Sequence, residues 1–368
     1  MDPFTHTFAG GLMASSGLKK LTPLATAAIL IGVNAPDVDI VASWMGEYSS
    51  LAHRRGWTHG VLAWFILPLL LTGILMLLSR VWPRLTANGS AAFWPLFLVS
   101  LLAVLSHPFL DWLNNYGIRL LMPFDSQWFY GDSMFILDPW LWLIMGGAWF
   151  WVSSGHRWQL ALWAVFWLGS SLVVTLNDVT GTPVLVLWYL GLAGIIGGRF
   201  LMSSFSPGVI ARGALIMASL YIALSIFAGR IAVNEVNCYV QAQAGQQPID
   251  IMVSPAPANP LRSTVVVVHG DHYQLGQWDW LADKPVRLDT ELPLNIQSPI
   301  VQAAATAPHA RQYLSWSRFP FANIAPRENG GYRVSFKDAR YAHRGDTLSG
   351  PTVELDDELK VLPQSENQ

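Results

Sequence analysis

Charge is what this chain lacks most. Only 12% of its residues are Asp, Glu, Lys or Arg, about half the roughly 25% of an ordinary soluble domain. A net charge of −2 leaves no basic surplus for nucleic acid, so no nucleic-acid partner is expected. Cysteine is nearly missing too. Cys238 stands alone, which excludes an intramolecular disulfide and any thiolate-built zinc site. The N-terminal segment opens on Asp2 and is interrupted by His6, so it lacks the basic start of a cleavable signal peptide. No phosphate-cradling glycine loop, Gly-x-Ser-x-Gly elbow or Cys/His dyad is legible.

What fills the sequence instead is apolar. Hydrophobic residues make up 52%, with 18 Trp and 17 Phe, the composition of an integral membrane protein. Residues 60–79 and 91–113 each supply the ~20 apolar residues that a span requires, and 139–153, 158–176, 183–199 and 209–229 supply four shorter or similar candidates. Trp57, Trp82, Trp112, Trp128 and Trp158 crowd the span ends, as an interfacial aromatic belt does. Residues 4–17 and 21–35 read as a helical hairpin packed into the bundle and crossing it only in part, with Pro36 ending its second limb. From Ile231 charges, prolines and short β-type runs take over: 249–253, 263–270 and 332–338. The expectation is an α-helical polytopic membrane bundle over 1–230, its metal site within 1–140. A soluble, mostly-β domain follows over 231–360, and then a disordered polar tail over 361–368.

Candidate metal ligands concentrate in the first 111 residues: His6, Asp37, Asp39, His53, His59, His107 and Asp111. Imidazole and carboxylate are the usual ligands of zinc and of harder divalent ions. Ionisable groups beside membrane spans are costly and mark function by default. An antiparallel hairpin puts His6 and the Asp37/Asp39 pair at one end. The next span starts at His59, and the one after returns with His107 and Asp111 in its last turns. These two are four residues apart and so share one helix face. All seven therefore meet at one end of the bundle. Lys19, Lys20, Arg80, Arg84, Arg157, Arg199 and Arg212 gather at the other, which the positive-inside rule assigns to the cytoplasm. The site and the C-terminal domain are then expected on the outer face.

In this order, His6, Pro36-Asp37-x-Asp39, His53-Arg54-x-x-x-Thr58-His59 and His107-x-x-x-Asp111 resemble the YdjM-type family of bacterial membrane-bound predicted metal-dependent hydrolases, LexA-regulated inner-membrane proteins. The resemblance covers residues 1–140, including GDSxFILDPW, and Gly60 stands where the family commonly has Ser. It implies an inner-membrane, multi-pass hydrolase. The ligand order is more distantly similar to zinc phospholipase C and P1-type nucleases. Their second His-x-x-x-Asp is missing here, so one or two ions are expected.

The function expected is metal-assisted hydrolysis of a phosphoester, lipid-linked given the membrane setting, with zinc as cofactor and manganese the alternative. All seven residues would ligate metal, Asp37 and Asp39 would also be catalytic, and Arg54 and Arg55 would receive the phosphate. The bilayer itself is the expected partner. Two other classes stay open: a metal transporter or sensor, and a non-enzymatic structural membrane protein.

Overall fold

Asp2 opens the first helix: its carboxylate accepts the N–H groups of Phe4 and Thr5 at 3.0 and 3.1 Å, and Pro3 follows where a missing N–H costs nothing. The computed structural model describes residues 1–86, 91–177, 180–244, 247–342 and 350–363. It carries this helix, α1, over Pro3–Ser15 and α2 over Ala25–Gly32. A 3-10 helix, Ala35–Met45, comes next, then α3 (Glu47–His53), α4 (Ala63–Val81) and α5 (Phe93–Trp112). After a long loop come α6 (Pro139–Leu141), a π turn (Trp142–Gly146) and α7 (Gly147–Ser153). The helical series ends with α8 (Arg157–Thr175), α9 (Thr182–Met202) and α10 (Pro207–Ala244).

Among the described residues, six segments are long and apolar enough to cross a membrane: Ala25–Met45, Ala63–Val81, Phe93–Trp112, Arg157–Thr175, Thr182–Arg199 and Pro207–Gln243. Two differ from the sequence expectation. Residues 139–153 are three short pieces, about 22 Å of helix at ~1.5 Å per residue against a ~30 Å hydrocarbon core. Conversely, the second limb of the first hairpin runs on past Pro36. Proline has no N–H to bond the carbonyl four residues back, so the α ladder ends at Gly32. The chain then tightens into 3-10 winding, with Asp37 N–H on the Asn34 carbonyl at 3.2 Å.

The chain divides into two units, Met1–Val38, Arg55–Arg230 and Ser254–Leu261 in the first, Asp39–Arg54, Ile231–Val253 and Arg262–Gln368 in the second. The first is helical. Leu12, Leu113, Trp142 and Trp188 are buried in one of its cores, and Ala28, Ile29, Leu96 and Ala103 in another.

Strands β1 (Asp250–Ala256), β2 (Asn259–Val268), β3 (His272–Asp279) and β4 (Val286–Pro293) form one sheet in that order. Helices α11 (Pro299–Ala304) and α12 (Pro308–Trp316) lead to a second sheet, β5 (Pro320–Pro326), β6 (Tyr332–Asp338) and β7 (Thr352–Leu355). The valine run of β2 is apolar without alternation because both its faces are covered. Val265 and Val267 pack with Ala232, Val236 and Val240, one stripe at four-residue spacing on the end of α10. Val266 faces the other way, with Tyr273, Leu275, Phe319 and Phe321. Asp338 and Arg340 form a fully buried pair at 2.8 Å. Burial alone would raise the Asp338 carboxyl. Arg340, the Ser317 hydroxyl and backbone N–H groups instead hold it below the usual carboxylate range. Val361 bridges to Leu355, while residues 364–368 of the expected tail lie outside the described residues.

Candidate metal centre

The end of α2 and the last two turns of α5 create the centre. His107 Nδ1 lies 2.7 Å from the Val33 carbonyl. A carbonyl only accepts, so Nδ1 carries the hydrogen, which leaves the Nε2 lone pair free to bind in the neutral ring. That Nε2 is buried and makes no hydrogen bond. It faces Asp37 Oδ1 at 3.7 Å and Asp111 Oδ2 at 3.6 Å. A lone pair held between two carboxylates is repulsive unless a proton or a cation sits among them, and these separations are too long for hydrogen bonds. They suit a cation: metal–ligand bonds of ~2.0–2.2 Å in a tetrahedron put ligand atoms roughly 3.3–3.6 Å apart.

His59 supplies a fourth group. Its Nε2 stands 3.3 Å from Asp111 Oδ2, and its Nδ1 is 3.0 Å from the Thr58 hydroxyl. One ligand atom each from Asp37, His59, His107 and Asp111 all fall within 4.8 Å of one another. His59, His107 and Asp111 are buried, whereas the Asp37 side chain keeps 20% of its surface exposed, so the centre communicates with its surroundings on the Asp37 side.

Four further groups organise it. His6 stacks on His107, with ring centroids 3.8 Å apart, and its Nε2 is 3.3 Å from Asp111 Oδ1. The Met1 ammonium pairs with the same oxygen. Asp2 holds this helix start in place, since Trp142 Nε1 donates to its carboxylate at 3.2 Å. Arg55 grips Asp111 from the other side, Nε on Oδ2 at 2.9 Å and Nη2 on Oδ1 at 3.1 Å. Its Nη1 donates to Asn114 Oδ1 at 3.0 Å, and its guanidinium lies 4.6 Å from the Tyr116 ring centroid. With its side chain 4% exposed, Arg55 is engaged with Asp111.

The structure thus brings His6, Asp37, Arg55, His59, His107 and Asp111 together within the first unit. Asp39, Arg54 and His53 belong to the second. There Arg54 Nε lies 3.7 Å from Asp39 Oδ1. His53 Nδ1 bonds the Ser49 carbonyl at 2.8 Å within α3, and α3 lies on α12 through Tyr48 against His309 and Tyr313. The Met1 ammonium, Asp2, Tyr116, Asn114 and the Val33 carbonyl escaped the sequence reading. Asn114, three residues beyond Asp111, continues the His107–Asp111 helical spacing and could have been read from it. The Val33 carbonyl leaves no mark in sequence. Gly60 is explained by space: a Cβ there would collide with the Met122 carbonyl, so Ser does not fit.

Residues 1–181 match the YdjM inner membrane protein family, and residues 299–365 match the YfhP C-terminal alpha/beta plait domain. An uncharacterized protein of Bacillus subtilis (strain 168), YfhP, is 29% identical over 153 residues. That alignment covers 39% of this chain and 43% of the relative, less than half of its length. No solved structure matches. Neither family match bears on the similarity to zinc phospholipase C and P1-type nucleases. With six apolar spans among the described residues, the chain is a multi-pass membrane protein whose residues 1–181 are similar to the YdjM inner membrane protein family and whose residues 299–365 are similar to a YfhP-type C-terminal domain.

Proposed function

We propose that the first unit is a metal-dependent hydrolase of phosphoesters, working at the membrane–water interface. The observation that carries this reading is His107 Nε2, buried without a hydrogen bond and aimed at two carboxylates. Asp37, His59, His107 and Asp111 would hold a divalent ion, zinc by their ligand chemistry with manganese the alternative. Such an ion supplies a Lewis acid and lowers the pKa of water towards 7.

The chain's own groups divide the remaining work. Asp37, the most exposed of the four, would take a proton from the attacking water. Arg55 fixes both oxygens of Asp111, the outer support on which ligand orientation depends. The Val33 carbonyl fixes the His107 ring and its tautomer. The cationic loops at the opposite end of the bundle support a site on the outer face by the positive-inside rule.

A second reading has its own support. Three of the four groups are buried, and a closed set of four protein ligands is the habit of structural sites, whereas catalytic sites keep a position open. One experiment separates the two. Detergent-purified protein is analysed for metal and assayed with bis(p-nitrophenyl) phosphate and with phosphatidic acid, beside Asp37→Asn and His107→Ala. Stoichiometric metal with turnover that Asp37→Asn abolishes is expected. Metal without turnover on any phosphoester leaves the structural reading, and no metal after incubation with each ion ends both.

A further inference from the structure

Away from the metal centre, a groove runs between α9 and α10. Ile144 of the π turn and Trp151 of α7 form its floor, Gly194 and Met202 one wall, Val209 and Gly213 the other. Its volume is ≈ 430 Å³, within the ~300–1,000 Å³ of small-molecule sites. Every lining residue is apolar, and the one indole N–H among them, that of Trp151, is already given to the Ile195 carbonyl at 2.7 Å. Glycine leaves the space open, since a Cβ on Gly194 or Gly213 would meet nothing within 4 Å.

The setting names the occupant. Both walls belong to spans, so hydrocarbon rather than water borders the groove. From Gly191 to Met202 the α9 wall runs about 16 Å at ~1.5 Å per residue, half of a ~30 Å hydrocarbon core and thus one leaflet. Arg199 is three residues from Met202 on α9 and Arg212 three from Val209 on α10, so each arginine shares a helix face with a residue at the Met202–Val209 mouth without lining the groove itself. Arg199 donates to the Ser154 hydroxyl and carbonyl, and Arg212 to the Ser16 carbonyl at 2.9 Å. These acceptors are neutral, so neither charge is compensated. The described segments at this end (16–24, 80–86, 153–158 and 199–208) contain no Asp or Glu, while Lys19, Lys20, Arg80, Arg84, Arg157 and Arg199 lie on them. Basic pockets between spans recognise anionic headgroups.

We propose that this groove is a binding site for one anionic glycerophospholipid, an acyl chain lying between α9 and α10 and the phosphate held by Arg199 and Arg212. The site is separate from the metal centre and does not depend on its function.

The test uses full-length protein in maltoside detergent, with phosphatidylglycerol or phosphatidylcholine of the same chains added. Thermal unfolding of the wild type should rise by roughly 5–10 °C at ~100 times Kd of phosphatidylglycerol, and far less with phosphatidylcholine. Gly194→Phe starts from a Cβ that meets nothing within 4 Å, puts a ring into the groove, and should abolish the shift while melting normally without lipid. Gly213→Phe serves the same purpose should the first variant fold poorly. Arg199→Gln with Arg212→Gln should erase the preference between the two lipids. Equal shifts from both lipids in the wild type, or a phosphatidylglycerol shift that survives groove filling, overturns the proposal. So does a concentration-dependent dimer that Gly194→Phe dissociates, because the groove would then be covered by a second copy.

Discussion

Asp37 and Asp111 both face His107, yet their surroundings predict opposite behaviour when each is replaced by Asn. Asp37 keeps a fifth of its side-chain surface exposed, so its loss should barely change the stability of metal-free protein. Its effect belongs to the ion. A ligand present at ~1,000 times Kd stabilises by about 4.1 kcal/mol. Removing one of four ligand groups should weaken binding at least ~100-fold, the upper end of what outer-shell losses do. At the same metal concentration the stabilisation then falls to about 1.4 kcal/mol, a loss of roughly 2.7 kcal/mol or 5–10 °C in Tm. Asp111 instead compensates Arg55, which is nearly fully buried. Asp111→Asn leaves that guanidinium without its carboxylate and should cost about 3–5 kcal/mol whether or not metal is present. The assay is tryptophan fluorescence on heating, with chelator and with added zinc, for wild type and both variants. Asp37→Asn that responds to zinc as the wild type does would refute the reasoning, as would Asp111→Asn that melts normally in chelator.

Other expectations can be checked in the same preparation. Arg55→Ala should destabilise by about 3–5 kcal/mol in metal-free protein by removing the guanidinium from the buried Asp111, and Arg55→Lys should recover only part, since an ammonium cannot span both carboxylate oxygens; chemical denaturation measures both. In the second unit, Arg340→Leu leaves the buried Asp338 without its counter-charge and should cost about 3–5 kcal/mol, read from the unfolding of that unit within the full chain by hydrogen exchange. Asp138 precedes α6, outside the six spans, and burial, only partly offset by the Leu141 N–H and Tyr221 hydroxyl, pushes its carboxyl up to about 6. Its folded pKa exceeds the unfolded one, so the folded chain keeps the proton between pH ~4 and ~6. Its contribution is greatest below ~4 and falls as pH rises through that window, by on the order of 3 kcal/mol in all. Asp138→Asn should flatten this slope in a Tm-versus-pH series while keeping the helix cap.

Much of this architecture is legible in sequence because a bilayer makes hydropathy decisive. Residues 63–81 and 93–112 declare themselves as spans by length alone, and His107 and Asp111 declare a shared face by being four apart. Where sequence reading stops short, local rules compete. The run 139–153 is as apolar as a span but is broken by a π turn, which aims Trp142 at Asp2 and no hydropathy plot registers. Residues 39–54 lie between ligand-bearing segments in sequence, yet α3 packs on α12, more than 250 positions away along the chain. Arg55 reads as a phosphate hook until its distances to Asp111 show what it already holds. Linear spacing ranks neighbours along the chain and says nothing of a guanidinium's preferred partner.

The bond from His107 Nδ1 to the Val33 carbonyl has an evolutionary corollary. Its acceptor is main chain, so no side-chain replacement at position 33 can delete it. Val33 is free to drift among residues that fill the same apolar space, provided α2 still ends where it does. What lineage must preserve is the place where that helix stops, and Pro36 enforces it. Divergent descendants could therefore keep the imidazole's orientation intact with little letter-by-letter likeness around residue 33, the inheritance being carried by backbone geometry.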